Sequence, residues 1–278
     1  MQFKRLLFIF PLLTAFYTNA ALITVATDNA SNYNDQWLGN GGNGFDSWQF
    51  ITDTSSGNAG GFLASTSGNP DLNGISSSGS GKAWGSYANG GGFNQFEAYR
   101  GFGQNSLVHS GDHFSVKLEH GNIVQGGAVG FVLRNQNQSN SIGDYNANSR
   151  FEFGFIGGSQ NYSIFDGTGW LDTGIGFLDS GLKLDFYLLS ADSYKFDVIN
   201  AVGHNLISSF TGQLKGSGSI DSVALYNRDA ELGNAYFNYM QIAHEETNLV
   251  NAPSAFGFFL ICCLYMFGRG RLNRLNKG

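Results

Sequence analysis

Apolar and polar residues alternate along most of this chain, the period-two pattern of half-buried strands. Phe114, Val116 and Leu118 share one face of 113–119, and Val129, Phe131 and Leu133 share one face of 128–134. Phe151, Phe153 and Phe155 do the same in 150–156. Leu182, Leu184, Phe186 and Leu188 alternate, as do Tyr194, Phe196 and Val198 after a break at 190–193, which predicts a hairpin. Further strands are expected over 206–214, 219–226 and 235–242, and earlier ones over 21–26, 48–52, 82–88 and 96–102. Thr52 to Gly81, rich in Ser, Gly and Asn, reads as one long loop. With no helix between the ends and no internal repeat, the pattern predicts a single all-β sandwich or barrel over 21–250.

The two ends break the alternation. Lys4 and Arg5 precede an apolar stretch from Leu6 to Phe16 and a small-residue site at Ala20, the order of a secretory signal peptide over 1–20. At the other end, Asn251-Ala252-Pro253-Ser254 leads into an uncharged run, Ala255 to Phe267, followed by Arg269, Arg271, Arg274 and Lys277. Those 13 apolar residues reach about 20 Å as a helix, short of the ~30 Å hydrocarbon core. A transient inner-membrane association fits that length better than a permanent transmembrane anchor. The layout resembles the PEP-CTERM class of bacterial exported proteins, in which a Pro-containing motif, a hydrophobic segment and a basic cluster are recognised by an exosortase. The resemblance covers 251–278 and departs from the usual Pro-Glu-Pro in lacking the glutamate. It implies export and sorting machinery as partners, a cell-surface or extracellular destination, and Asn251, Ala252, Pro253, Arg269 and Arg271 as the sorting residues.

Charge changes the picture once the ends are set aside. All 21 acidic residues lie between Asp28 and Glu246, against nine basic ones, a balance of −12. Such a surface repels nucleic acid, which is excluded as a partner. Both cysteines, Cys262 and Cys263, belong to the tail, so the sandwich holds no disulfide. Glycine, at 40 of 278 residues, is about twice the usual ~7%, in keeping with many turns.

The order of the strands, from an opening segment Asp28 to Trp48 to a closing strand Tyr236-Phe237-Asn238-Tyr239 able to pair with the first, resembles the jelly-roll sandwiches of the concanavalin A-like lectin and glucanase superfamily. The resemblance implies a jelly-roll-like antiparallel β-sandwich, flanked here by an N-terminal signal helix and a short C-terminal hydrophobic helix.

Candidate chemistry is sparse. Glycoside hydrolysis needs two carboxylates ~5 to 10 Å apart, and the strand glutamates available are Glu97, Glu119 and Glu152. The Glu-x-Asp-x-x-Glu run of the glucanases is missing. Glu152, between two phenylalanines, points away from their face as an outward polar residue. His113 and His120 fall on opposite faces about 23 Å apart, too far to share an ion. Asp28, Asn29, Asn34 and Asp35 offer the hard oxygens that structural calcium takes, and the same residues make turns without any ion. For a sugar, the useful groups are an exposed aromatic face and nearby amides: Trp170 after the turn 166–169, and Tyr145 in the Asn-rich loop 135–149. Trp37, Trp48 and Trp84 are expected in the core.

Three readings stay open. The first is a non-enzymatic exported sandwich that binds polysaccharide or takes part in an extracellular matrix. The second is a carbohydrate-active enzyme with an acidic pair that the sequence does not reveal, and the third is a purely structural matrix protein.

Overall fold

The computed structural model describes residues 21–136, 146–231 and 233–246. The expected signal segment 1–20, Tyr145 and the expected sorting residues Asn251, Ala252, Pro253, Arg269 and Arg271 lie outside them. Among the described residues no helix is long and apolar enough to cross a membrane.

Among the described residues fifteen strands follow one another: β1 (Leu22–Asp28), β2 (Gln49–Asp53), β3 (Asn58–Ser65), β4 (Lys82–Asn89), β5 (Gln95–Gly101), β6 (His113–His120), β7 (Ala128–Arg134), β8 (Ser149–Ile156), β9 (Asn161–Asp166), β10 (Gly169–Gly176), β11 (Leu182–Ser190), β12 (Ser193–Asn200), β13 (Leu206–Gln213), β14 (Ser222–Arg228) and β15 (Ala235–Glu245). They form two antiparallel sheets. The eight-stranded sheet runs β13-β12-β11-β6-β15-β4-β3, with β1 also paired to the long β15. The seven-stranded sheet runs β10-β9-β8-β7-β14-β5-β2.

The alternation read in the sequence sets what lies between them. Phe114, Val116 and Leu118 of β6 and Val129, Phe131 and Leu133 of β7 are all fully buried and meet in one core. Phe151 of β8 packs on Phe186 and Phe196 of the opposite sheet, with ring centroids 5.2 and 4.9 Å apart. Pairs of this kind add about 0.5–1.5 kcal/mol each beyond the area they bury.

Three strands depart from the expectation. The stretch 52–81 contains β3, whose Gly60-Gly61 pair broke the apolar pattern. A Cβ on Gly61 would stand 2.4 Å from the Phe96 ring, so a packing contact with the opposite sheet selects glycine there. The remainder, 66–81, is an ordered loop: Glu119 accepts from the backbone N–H groups of Asn73, Gly74 and Ile75 at 2.8, 3.0 and 3.0 Å. Asn238 holds its far side, donating to the carbonyls of Ile75 and Lys82 at 2.9 Å. β9 and β10 form an additional hairpin that extends the seven-stranded sheet. The closing strand does pair with the first, but through Met240–Glu245; its earlier half pairs with β4 and β6.

The core has one buried charge pair that ties the two sheets together. Arg100 of β5 donates from Nη1 to Asp28 Oδ2, at the end of β1, at 2.6 Å, and both side chains are fully buried. Its Nε donates to the carbonyl of Asp46 at 2.9 Å and its Nη2 to Asn40 Oδ1 at 2.6 Å. Phe45 and Trp48 cover the guanidinium, 4.7 and 4.6 Å from their centroids. Asp28 is equally saturated, accepting from the Tyr33 hydroxyl at 2.6 Å and from Asn32 Nδ2 at 2.9 Å. Burial and that bond raise the Tyr33 hydroxyl to about 12. Asp28→Asn strands the guanidinium without a counter-charge, so urea unfolding should show a loss of about 3–5 kcal/mol at unchanged m. Adding Arg100→Met to that variant should recover part of the loss; strictly additive losses would show that the pairing itself contributes nothing.

Candidate binding face on the seven-stranded sheet

Because Phe151, Phe153 and Phe155 point inward from β8, Glu152 and Gly154 point to the outer face of the seven-stranded sheet. Strand register then lays one row across it: Trp170, Phe165, Glu152, Val132, Ala224 and Tyr99, each directly opposite the next. The adjoining row is Gly154, Gly130, Tyr226 and Glu97. A Cβ on Gly154 would lie 2.4 Å from the Tyr226 hydroxyl, and one on Gly130 would lie 2.3 Å from the Phe153 carbonyl and 2.7 Å from that hydroxyl. In the trough they leave, that hydroxyl donates to Glu152 Oε1 at 3.0 Å.

Glu152 is outward as expected but not solvated: it is 2% exposed. Burial raises its carboxyl pKa, opposed by the Tyr226 hydrogen bond and by Lys215 and Arg228 nearby. Its Oε2 has no hydrogen-bond partner among the described residues. Glu97 shares the face and is ion-paired at 2.9 Å with Arg134, both fully buried. The Arg134 guanidinium also lies 5.2 Å from the Tyr99 ring centroid. Three strand spacings and a two-residue register offset put Glu97 and Glu152 about 16 Å apart at Cα. Glu119 is in the other sheet, its carboxylate holding the loop 66–81. The three glutamates therefore do not meet in one cleft.

Trp170 stands 60% exposed, while Trp37, Trp48 and Trp84 are buried as expected. The hairpin that presents it is fixed by Asp166, which accepts from the Thr168 N–H at 2.8 Å and from the buried Tyr194 hydroxyl at 2.7 Å. The indole stacks on Phe165 with centroids 4.7 Å apart and planes 17° from parallel. Lys215 Nζ lies 3.8 Å from the Phe165 centroid. Arg150, which bonds the carbonyls of Lys215 at 2.5 Å and Ala191 at 2.7 Å, keeps that segment in place. The result is a rigid aromatic ledge at the sheet edge, with a cation and a buried carboxyl beside it.

The oxygen ligands proposed for calcium do not converge. Asp28 is saturated by Arg100, Tyr33 and Asn32, and Asn29 Oδ1 accepts from the Ser31 N–H at 2.9 Å. Lys82 Nζ already occupies the carbonyls of Tyr33 and Asn34, at 2.6 and 2.8 Å. Asn34 and Asp35 line an open depression of about 490 Å³ with Gln36 and Asn40. This donor set does not fit a cation, and among the described residues no three His, Cys, Asp or Glu side chains form a metal-holding group. The histidines are used separately: His113 bonds Asp185 at 3.1 Å on the outer face of its sheet, and His120 bonds the Tyr162 hydroxyl at 2.9 Å inside the core.

No family model matches the sequence, and no curated protein matches it. Solved structures similar to the chain include the T. cruzi calreticulin globular domain, at 10% identity and a TM-score of 0.46 over 72% of this chain and 85% of that one. A glycosyl hydrolase family 16 protein from Mycobacterium smegmatis is similar at 10% identity and 0.45, over 79% of this chain and 100% of that one. The VIP36 exoplasmic/lumenal domain in its Ca2+/Man3GlcNAc-bound form is similar at 8% identity and 0.42, over 74% and 89%. Similarity at this level assigns no residue of this chain a role.

The buried carboxyl of Glu152 has a consequence for stability. With its pKa raised on folding, the folded state binds more protons than the unfolded one, so stability falls as pH rises through and beyond the unfolded value of ~4.3. Glu152→Gln removes that loss, and its amide oxygen still accepts from Tyr226. Thermal unfolding should show the variant gaining on the natural protein from about pH 4 towards pH 8. A difference that stays constant across that range would mean Glu152 carries its charge equally well in both states.

Proposed function

We propose that the domain is an exported, non-catalytic β-sandwich that binds polysaccharide along the outer face of its seven-stranded sheet. The observation that carries this is the exposed Trp170, held flat on Phe165 and in register with a buried carboxyl. The apolar C–H face of a sugar ring packs on an indole, and its hydroxyls need acceptors and donors within reach. Trp170 supplies the first, already stacked on Phe165, and Lys215 beside the same ring supplies the second. The signal segment 1–20 and the sorting-type tail at Asn251, Ala252, Pro253, Arg269 and Arg271 support a destination outside the cytoplasm, where such polymers are found. A mature C-terminus near Pro253, mapped by mass spectrometry, is the expected product of sorting; a retained Gly278 is the result against it.

Binding is favoured over hydrolysis because Glu97 is ion-paired with Arg134, both fully buried, and is not free to act as the second carboxylate. One observation favours the hydrolytic reading: burial raises the pKa of Glu152, the direction a general acid needs. Polysaccharide cleavage lost in Glu152→Gln with folding intact would establish that reading in place of ours.

One exposed tryptophan among four makes the proposal easy to test. Iodide should quench the Trp170 share of the emission and leave the three buried indoles, and saturating glycan should protect that share. Trp170→Ala should weaken glycan binding by about 2 kcal/mol, a factor of roughly 30, with the melting temperature unchanged. Glycan binding of equal strength in Trp170→Ala would remove the ledge from the site.

A further inference from the structure

A second cluster lies on the outer face of the eight-stranded sheet and plays no part in the site above. Inward-facing Phe114, Val116 and Leu118 put Lys117 of β6 on that face, and register sets it directly opposite Lys183 of β11. Like charges opposed across a strand pair destabilise it. Here only one of the two lysines has a carboxylate partner among the described residues. Lys183 Nζ bonds Asp185 at 2.5 Å, whereas Lys117 has no carboxylate partner among the described residues. Its ammonium lies instead 4.5 Å from the centroid of Tyr239. Burial and Lys183 together depress the Lys117 pKa, as expected for a cation without an anion.

The tyrosine is held in place by the backbone. Tyr239 sits at the irregularity in β15 between Asn238 and Gln241, with φ at +52°, a conformation few non-glycine residues adopt. Its hydroxyl accepts from the Ser78 N–H at 2.9 Å, which anchors the ring over Lys117. Strain of this kind persists only where the surroundings enforce it. The acids of the next rung are not available to the lysine pair. Asp185 bonds Lys183 and His113, and Asp197 bonds Lys195 at 2.7 Å and Ser209 at 2.6 Å.

We propose that the Lys117–Lys183 rung, walled by Tyr239, is a subsite for the carboxylate or sulfate of an acidic polysaccharide, on the sheet opposite the Trp170 face. An anion with two or three oxygens bridges ammonium groups on directly opposed strands, relieves their repulsion and brings a sugar ring against Tyr239. A flat polyanionic surface fits poorly, because Asp185 and Asp197 flank the rung and the domain as a whole carries −12.

Three trisaccharides distinguish the source of the anion: one uronate, one sulfated and one neutral, each titrated into the full-length protein at fixed ionic strength. Short ligands keep the two faces from acting together. At least one acidic trisaccharide should bind, with affinity about tenfold lower in Lys117→Met, retained in Lys117→Arg, and unchanged in Trp170→Ala. The arginine variant separates loss of charge from loss of fold. Lys117→Met binding both acidic ligands as the natural protein does would overturn the proposal, as would a neutral ligand bound as tightly as the acidic ones. The Trp170 reading stands or falls separately, on the neutral polymer and Trp170→Ala.

Discussion

A guanidinium in the dry space between two sheets has to be neutralised and every one of its donors given an acceptor, and much of this fold follows from how Arg100 meets that demand. Its carboxylate comes from Asp28 at the end of β1, its carbonyl from Asp46, and its amide oxygen from Asn40. Those three partners all lie in or next to the opening segment. That segment is therefore drawn inward and pinned, and it brings Trp37 and Trp48 into a cluster with Trp84, with ring centroids 5.1 to 5.9 Å apart. The Trp48 indole N–H completes the network by donating to the Tyr33 hydroxyl at 3.0 Å. An apolar replacement would pack more simply, but it would not specify where the opening segment goes.

The same strand carries that constraint outward. Arg100 and Glu97 are three positions apart in β5, so one faces the core and the other the outer face. Glu97 then needs Arg134, and Arg134 packs on Tyr99, so the middle of the outer face is filled by paired and stacked side chains. What the face leaves exposed is its β8–β10 end, where the Trp170 indole and Lys215 stand against Phe165.

Most strands were legible because their inward positions are aromatic or branched and their outward ones are not. β3 was not, because a contact with Phe96 selects glycine at a strand position and glycine carries no pattern. β10 was hidden by its edge position: only Ile175 of its eight residues is buried, so it has no inward face to read. The site residues divide in the same way. The direction of Glu152 followed from its two phenylalanine neighbours, but its burial depends on Tyr226, 74 residues away in sequence. Asp28 looked like a cation ligand because Arg100, 72 residues on, gives no local sign of its pairing. Alternation is a local signal; the partner of a buried charge is not.

The two faces differ in chemistry for a reason that the sandwich imposes. The loop 66–81 covers part of the outer face of the eight-stranded sheet, and Glu97, Arg134 and Glu152 are buried on that of the seven-stranded one, so each outer face presents only what these leave exposed. One ends in an aromatic ledge beside a buried carboxyl whose pKa is raised, and the other opposes two lysines beside a tyrosine. With both proposed sites filled, two dissimilar chains lie across opposite faces of one rigid sandwich and are held together through its core. The mechanical tie between the two faces rests on the inter-sheet contacts, Arg100 with Asp28 first among them.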